Sequence, residues 1–406
     1  MHKLSYIQKY VLSLGATACI FTAVGYWLGQ RNLNLEWENM RPSFSIQEKS
    51  PTKYSNADMS KFWEVWDLVT TMSIDRDKLT SDKLIEGAVA GLVAALDDPY
   101  SMYLTKKQNK ESKQDLAGKF EGVGMELGYN DEKQLIVISP LKNSPAKNAG
   151  VMPSDKIWKI NDETSIAMPI QEAVKKIRGE KGTKVKLTLQ QGQEEPREVE
   201  ITRETITVPS VELTFLENDS IAHIELNRFG DDTESAWDTK VAEIRAKKID
   251  NIILDLRNNP GGYFKTAVHV ASDFMSGPVV MQENYLGQKD TLYALNTQRL
   301  KNANVAILIN KGSASASEIV TGALAEETDA IAIGEKSFGK GTVQDVKDFR
   351  DGSGVHITIA KWLTPQGNWV HKKGIKPDIE VIDQTPGDEN DEVLNRAIEE
   401  LRNKFK

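Results

Sequence analysis

Cysteine is nearly absent from the sequence, with Cys19 the single example among 406 residues. A disulfide framework requires pairs of cysteines and a cysteine-rich metal site requires several, so both are excluded. Histidine is also scarce, and its five examples lie far apart, without an HExxH motif or another paired-ligand spacing. We therefore predict neither a disulfide-stabilised fold nor a metal site built from cysteines or paired histidines. The function that we predict requires no metal or nucleotide cofactor.

Positive charge is in the minority, with 51 Lys and Arg residues against 59 Asp and Glu residues and a net charge of −8. The sequence contains no basic block and no basic stripe with interleaved aromatic residues, which argues against a nucleic-acid partner. Peptides and proteins are the expected partners. The length of 406 residues suggests two or three domains, each large enough for its own core.

Residues 10–29 form an uncharged, largely apolar run about as long as a bilayer-spanning helix requires. Lys3 and Lys9 precede this run, which favours a cytoplasmic N-terminus at residues 1–9. We predict a transmembrane anchor or uncleaved signal, followed by a polar linker at 30–58; a cleaved signal peptide or a buried helix is the alternative. The predicted location is the cell membrane, single-pass, with the bulk of the chain on the periplasmic or extracellular face.

Apolar residues at helical spacing follow the linker. Phe62, Val65, Trp66 and Val69 recur at three- and four-residue steps, and Leu84, Ala88, Leu92 and Leu96 repeat the pattern. This periodicity predicts a helical region over residues 59–110. Asp97 and Asp98, just before Pro99, could belong to a metal or acid site, but we favour a proline-initiated turn with a capping aspartate.

Short strand patterns separated by turn residues, with one helix pattern among them, fill residues 111–205. Near the start of this series lie Gly122, Val123, Gly124 and Met125. The order of elements resembles a PDZ domain. The resemblance implies that backbone N–H groups of this loop hold the terminal carboxylate of a peptide, which adds as a strand beside the groove. The alternative is a small β module that only separates its neighbours.

Strands alternate with helices from residue 206 to 385, which predicts an α/β core, and a last helix pattern occupies residues 386–406. The apolar strand Ile252–Leu256 leads into a loop that ends in Gly261 and Gly262. Sheets of this kind commonly present chemistry where a strand ends. The paired glycines could expose backbone N–H groups to an oxyanion or could simply form a turn, and both interpretations stay open.

A Gly-Ser-Ala loop joins a strand pattern to a helix pattern and contains Ser313, Ser315 and Ser317. A serine hydroxyl is a poor nucleophile until a base removes its proton, and a lysine can be that base if burial keeps it neutral near pH 7. Lys340, between two glycines, offers such a partner, although exposed turn lysines are commoner. Ser315 and Glu318 also fit a helix capping box, so a purely structural role stays open.

Four separated segments resemble, in the same order, the C-terminal processing peptidases, which are also called tail-specific proteases. They are Leu254–Gly262, Asn310–Leu324, Phe338–Gln344 and Thr364–Gly367. The resemblance extends over about residues 62–381. It implies a multidomain α/β protein with an N-terminal helical segment, an inserted PDZ domain and an α/β protease core of the crotonase/ClpP-like type.

This resemblance assigns catalytic roles to three residues. Ser315 matches the nucleophile, Lys340 the general base and Gln344 the residue that orients the lysine. On a strand, side chains four positions apart face the same side, so the spacing suits a glutamine that holds a lysine amine. Only the family match selects Ser315 from the three serines.

The same resemblance assigns supporting roles. The Ala316 N–H and one glycine of the pair Gly261 and Gly262 match the oxyanion hole, consistent with free amides at a helix start. Arg178 matches a PDZ arginine that couples peptide binding to the active site in family members.

We therefore predict a membrane-anchored extracytoplasmic serine endopeptidase that binds exposed apolar C-terminal tails through its PDZ domain and forms an acyl-enzyme. The expected partners are protein or peptide substrates, the membrane through the N-terminal helix, and a second copy in a homodimer. The alternative is a catalytically silent, membrane-tethered PDZ scaffold. A Ser-His-Asp triad is less well supported than a Ser-Lys pair, although triads assemble from distant segments.

Overall fold

The structure is a computed structural model that describes residues 33–38, 41–46, 57–130, 132–141, 143–383 and 391–404. The chain divides into two compact units, residues 1–84 and 85–406. The helices are α1 (Ser60–Met72), α2 (Ser81–Ala94), α3 (Lys106–Leu116), α4 (Pro145–Asn148), α5 (Ile170–Ile177), α6 (Thr233–Lys247), α7 (Phe264–Ala271), α8 (Ala316–Glu327) and α9 (Glu392–Lys404). The strands are β1 (Leu33–Glu38), β2 (Arg41–Ile46), β3 (Met102–Leu104), β4 (Lys119–Gly122), β5 (Met125–Tyr129), β6 (Leu135–Pro140), β7 (Lys156–Ile160), β8 (Glu163–Thr164), β9 (Lys184–Gln190), β10 (Arg197–Thr202), β11 (Glu204–Thr207), β12 (Val211–Leu216), β13 (Ile221–Leu226), β14 (Asn251–Asp255), β15 (Pro278–Asn284), β16 (Lys289–Tyr293), β17 (Asn304–Ile309), β18 (Ile331–Gly334), β19 (Thr342–Asp348), β20 (Gly354–Leu363) and β21 (Ile379–Glu380).

In the first unit, β1 and β2 pair as an antiparallel hairpin. This hairpin lies inside the stretch that we predicted as a linker, residues 30–58. The sequence there has no periodic apolar pattern, which is the signal on which the prediction of strands depends.

A small antiparallel sheet with the strand order β10-β9-β7-β6-β5 forms the centre of the predicted PDZ region, and β8 pairs with β7. Its inner face is apolar, with Val137 and Leu187 fully buried, and α5 packs there through Ala173 and Ile177. Among the strands that the structure describes, β5 lies at the edge of this sheet and pairs with β6 alone. Its other edge can accept a further strand.

The core sheet has the strand order β12-β13-β14-β17-β18-β21 and is parallel from β13 onwards. Alternate residues of β14 point to opposite faces: Ile252 and Leu254 pack with α6, α7 and α8, whereas Ile253 packs with α9. Because both faces are covered, β14 and β17 are continuous apolar runs rather than alternating ones. The carboxyl ends of these strands support the two loops discussed below.

A second sheet, ordered β16-β15-β20-β19, lies in the same unit, and β3 pairs with β20. Through β3, residues that precede the PDZ region are part of the sheet that carries Gln344. The chain enters and leaves the PDZ region through β4 and β11, which pair antiparallel. The predicted boundaries at residues 111 and 205 stay predictions.

The predicted single-pass membrane location is contradicted. Within the described ranges, no helix is long and apolar enough to span a membrane. The longest of these helices, α6, has 15 residues and several charges, whereas a spanning helix needs about 20 mostly apolar residues. The predicted anchor itself, residues 10–29, lies outside the described residues, as does the predicted cytoplasmic segment 1–9.

Candidate active site

Ser315 lies between β17 and α8, where the strand end meets the start of the helix. Its backbone has φ 54° and ψ −112°, a conformation that residues other than glycine rarely adopt. Ser313 and Ser317 are both fully buried, and their hydroxyls donate to the carbonyls of Leu256 and Asn259 at 2.7 and 2.9 Å. Ser315 is partly exposed. The three candidate nucleophiles from the sequence therefore differ. The hydroxyls of Ser313 and Ser317 are buried and bonded to the neighbouring loop, whereas Ser315 is partly exposed.

Gly261 is the glycine of the predicted oxyanion pair that lies against Ser315. A methyl group placed on it would come within 2.8 Å of Ser315 Cβ and 2.9 Å of the Ala316 nitrogen, and its φ of +100° also favours glycine. The Gly261 N–H donates to Asn259 Oδ1 at 2.9 Å. Gly262 packs instead against the backbone of Phe229. Among the residues that the structure describes, the Ala316 N–H has no acceptor, as expected at the first position of a helix.

Lys340 is largely buried in the loop between β18 and β19. Burial lowers the pKa of Lys340 below that of an ordinary lysine, while the nearby Asp98 carboxylate acts in the opposite direction. Its Nζ lies 5.2 Å from the centroid of the Tyr100 ring. The signs of this buried position in the sequence were the flanking glycines, Gly339 and Gly341, and the apolar neighbours Phe338 and Val343.

Glu318, in the first turn of α8, connects the loop of Ser315 with the loop of Lys340. Its Oε2 accepts from the N–H groups of Ser315 and Lys340, both at 2.9 Å. Its Oε1 accepts from the Gly339 N–H at 2.7 Å and from the Ser337 hydroxyl at 2.6 Å. Glu318 is fully buried. Sequence reasoning gave this residue only a capping role, because the S-x-x-E pattern shows the bond to Ser315 but not the bonds to a loop two elements away.

Gln344 lies on β19, and its Nε2 donates to the hydroxyls of Thr342 and Thr358 at 3.0 and 3.2 Å. With the amide nitrogen used in this way, the carbonyl oxygen is the atom that can accept a bond from an ammonium group. In the described part of the chain, neither Ser315 nor Gln344 hydrogen-bonds to Lys340 Nζ. The structure therefore brings together the segments that carry Ser315, Lys340 and Gln344. Among the described residues, it shows no direct hydrogen bond from the Lys340 amine to the side chain of Ser315 or Gln344.

The described histidines make structural contacts instead. His223 Nε2 lies 3.2 Å from Asp255 Oδ2 in the core, and His269 Nε2 lies 2.9 Å from Asp238 Oδ1. No histidine of the described ranges hydrogen-bonds to Ser315. A Ser-His-Asp arrangement thus gains no support from the geometry.

The predicted carboxylate loop, Gly122–Met125, lies between β4 and β5. Within the described residues, the N–H groups of Val123 and Gly124 have no acceptor, and Gly124 has a φ of +72°. Successive free N–H groups of this kind form an anion-binding concavity. Met125 is partly buried and packs against the apolar core of the PDZ region.

Arg178 directly follows α5 and contacts the first segments of the PDZ region, which lead into its sheet. Its guanidinium lies 4.6 Å from the centroid of the Phe120 ring, and Nη1 lies 3.4 Å from Asp115 Oδ1 at the end of α3. The residues that line a cavity of about 410 Å³ include Asp115 and Gly261. Arg178 therefore touches a residue that borders the space beside Ser315.

Known proteins resemble this chain in each of its parts. Residues 19–108 match a family model described as the activating protease CtpB N-terminal domain, residues 113–190 match the PDZ domain, and residues 220–381 match peptidase family S41. These matches confirm the predicted combination of an N-terminal domain, a PDZ domain and a protease domain.

Two curated relatives are similar over most of this chain. A probable CtpA-like serine protease of Staphylococcus epidermidis is 38% identical over 343 residues, which make up 83% of this chain and 68% of that protein. The carboxy-terminal processing protease CtpA of Bacillus subtilis is 40% identical over 304 residues, or 74% of this chain and 65% of that protein. The solved structure of the photosystem II D1 C-terminal processing protease matches with a TM-score of 0.52 and 27% identity, over 81% of this chain and 89% of that chain.

Proposed function

Because the chain belongs to peptidase family S41, among the C-terminal processing peptidases, and is a serine-type peptidase with a PDZ domain, we propose that it is an endopeptidase that acts through a Ser-Lys mechanism on polypeptides with exposed apolar C-terminal tails. The observation that carries this proposal is the Glu318 carboxylate, which holds the N–H groups of both Ser315 and Lys340 at 2.9 Å. One buried group thus places the proposed nucleophile and the proposed base in adjacent loops.

In the proposed reaction, Ser315 Oγ attacks the peptide carbonyl while neutral Lys340 takes its proton. The Ala316 N–H and the segment of Gly261 and Gly262 stabilise the oxyanion, and Gln344 orients the lysine. Lys340 then gives the proton to the leaving amine, and later removes a proton from the water that hydrolyses the acyl-enzyme. Because a base must be unprotonated, activity rises as pH increases through the pKa of Lys340, which burial places below that of an ordinary lysine.

The PDZ domain is proposed to deliver the substrate. The terminal carboxylate binds the free N–H groups of Val123 and Gly124, and the residues before it pair with the open edge of β5. Partly buried Met125 and Leu127 on this strand supply an apolar surface for the terminal side chains. An apolar tail with a free carboxylate is therefore the favoured ligand.

This delivery is tested by comparing an unfolded peptide that has an apolar free C-terminus with the same peptide carrying an amidated end. We expect kcat/KM to be at least about tenfold higher for the free acid, because amidation removes charge-assisted hydrogen bonds to the loop. Equal values for the two peptides would contradict carboxylate capture. Binding of the peptide without any turnover would instead favour the alternative function, a catalytically silent PDZ scaffold.

A matched pair of variants localises the effect to the loop. Gly124→Ala places a methyl group 2.6 Å from Ser144 Cβ at a φ of +72°, whereas Gly150→Ala imposes similar strain, at a φ of +77°, with no atom within 4 Å. The preference for the free acid should disappear in Gly124→Ala and persist in Gly150→Ala.

Arg178 is proposed to couple the PDZ domain to the active site through its contact with Asp115. We expect Arg178→Gln to lower kcat for the free-acid peptide toward the value for the amidated peptide, with little change in peptide binding. Binding is measured by fluorescence anisotropy in the Ser315→Ala background. Lys184→Gln is the control, because Lys184 forms an exposed ion pair with Glu200 and not with Asp115. A loss of binding equal to the loss of kcat would mean that Arg178 serves the groove alone.

A further inference from the structure

The turn at residues 98–101 precedes the PDZ region and lies at the candidate active site. Asp98 accepts the Tyr100 N–H at 3.1 Å and the Ser101 hydroxyl at 2.6 Å, which makes the turn a capped one, as the sequence predicted. The Tyr100 ring lies 5.2 Å from Lys340 Nζ. At this distance, the negative face of an aromatic ring attracts an ammonium ion.

The same turn also reaches Gln344. The N–H of Thr358 on β20 donates to Ser101 Oγ at 3.0 Å, and the hydroxyl of Thr358 accepts from Gln344 Nε2 at 3.2 Å. Ser101 itself is buried. One turn therefore contacts Lys340 directly and Gln344 through a single intervening residue.

We propose that this turn is the positioning element for the base: Tyr100 holds the Lys340 ammonium over its ring, without a hydrogen bond to Ser315, while Ser101 fixes Gln344 through Thr358. The inference rests on the proposed Ser-Lys mechanism. Lys340 becomes a base when its amine leaves the ring and loses its proton. Tyr100 and the turn set how readily this happens, although they touch no substrate.

The charges that face Lys340 agree with this arrangement. The Asp98 carboxylate favours the ammonium form of Lys340 and raises its pKa, against the larger effect of burial. His356, half-buried on β20, also faces Lys340, and burial with the lysine charge lowers the pKa of His356. The Tyr100 ring also packs against the His371 ring in a T-shaped arrangement, with 5.9 Å between ring centroids. Two carboxylates thus belong to the group: Asp98 in the turn, and Glu318, which accepts from the Lys340 N–H at 2.9 Å. Burial, together with these two carboxylates, raises the pKa of Tyr100.

The test measures the pKa of Lys340 in the full chain, independently of catalysis. In the Ser315→Ala background, Lys340 is labelled with acetic anhydride across a pH series and the product is quantified by mass spectrometry. Tyr100→Leu keeps an apolar side chain but removes the ring, so we expect the pKa to fall by about half a unit. Tyr100→Phe keeps the ring and should leave the pKa unchanged.

Asp98→Asn provides a second variant in case Tyr100→Leu does not fold. The amide oxygen can still accept from the Tyr100 N–H, whereas the NH2 group replaces the oxygen that accepts from the Ser101 hydroxyl, so one of the two bonds of the turn is kept. Because the charge is gone, the pKa of Lys340 should again fall. In the enzyme with Ser315 intact, the same variants should shift the rising part of the pH profile of kcat/KM to lower pH. At a fixed pH within that rising part, kcat/KM should increase about threefold.

The possible outcomes separate this inference from the proposed function. Equal Lys340 pKa values in Tyr100→Leu and Tyr100→Phe, or an unchanged value in Asp98→Asn, overturn the positioning role. The expected pKa shifts without any peptide turnover would leave that role standing and would overturn the Ser-Lys peptidase mechanism.

Discussion

Replacing Lys340 by methionine is expected to lower kcat at least about a thousandfold, the size of effect that a lost general base produces. Methionine has an unbranched side chain of similar length and no charge, so it suits the largely buried position better than a charged lysine does. The fold should therefore survive, and the loss should appear in kcat at constant thermal stability.

The control for this variant is Lys336→Met, four residues earlier in the same loop, where the side chain is exposed. It should retain nearly the full kcat. If Lys340→Met kept kcat within tenfold of the original value, another group would have to be the base, and the role given to Gln344 would fail with it.

Glu318→Gln is expected to lower the free energy of unfolding by about 3 kcal/mol, because hydrogen bonds to a buried carboxylate are strong and unsatisfied donors are costly. The two oxygens of Glu318 accept from four donors. In glutamine one oxygen becomes an NH2 group, which faces two of these donors and can accept from neither. Activity should fall as well, since the bonds lost are those that hold the nucleophile loop beside the base loop.

Urea unfolding and kcat together test this expectation. Glu335→Gln is the control, because the ion pair of Glu335 with the exposed Lys311 should contribute less than about 1 kcal/mol. A Glu318→Gln protein with unchanged stability and kcat would show that the two loops keep their positions without the carboxylate.

Elements with a regular burial pattern were predictable from sequence. Helices α5 and α6 and strands β7, β9 and β13 belong to the helix and strand patterns predicted within residues 111–205 and 206–385, because each presents apolar residues to one core at a constant period or is buried on both faces. The second sheet was not predicted as a unit. Strand β20 mixes buried, intermediate and exposed positions, and β3 has only three residues, so neither gives a clear periodic signal.

The candidate site also has a part that could be predicted from sequence and a part that could not. The glycines, Ser315 and Lys340 belong to local motifs, so sequence could propose them, and their catalytic roles stay predictions. The contribution of the turn at residues 98–101 could not be found, because Ser101 and Thr358 are 257 positions apart and are joined by one backbone hydrogen bond. The four hydrogen bonds that Glu318 accepts could not be predicted from sequence for a related reason. Three of the four donors lie in a separate loop, between β18 and β19.

The pairing of β4 with β11 brings the two ends of the PDZ region together. Gly122 and Glu204 are direct partners at the PDZ end of this ladder, so the polypeptide leaves the peptidase region and returns to it at one place. A turn of about two residues is enough to join antiparallel strands at such a point. We therefore expect that the domain between them can be replaced by another binding module without rethreading the peptidase fold, with full kcat only where the new module also restores the contact between Arg178 and Asp115.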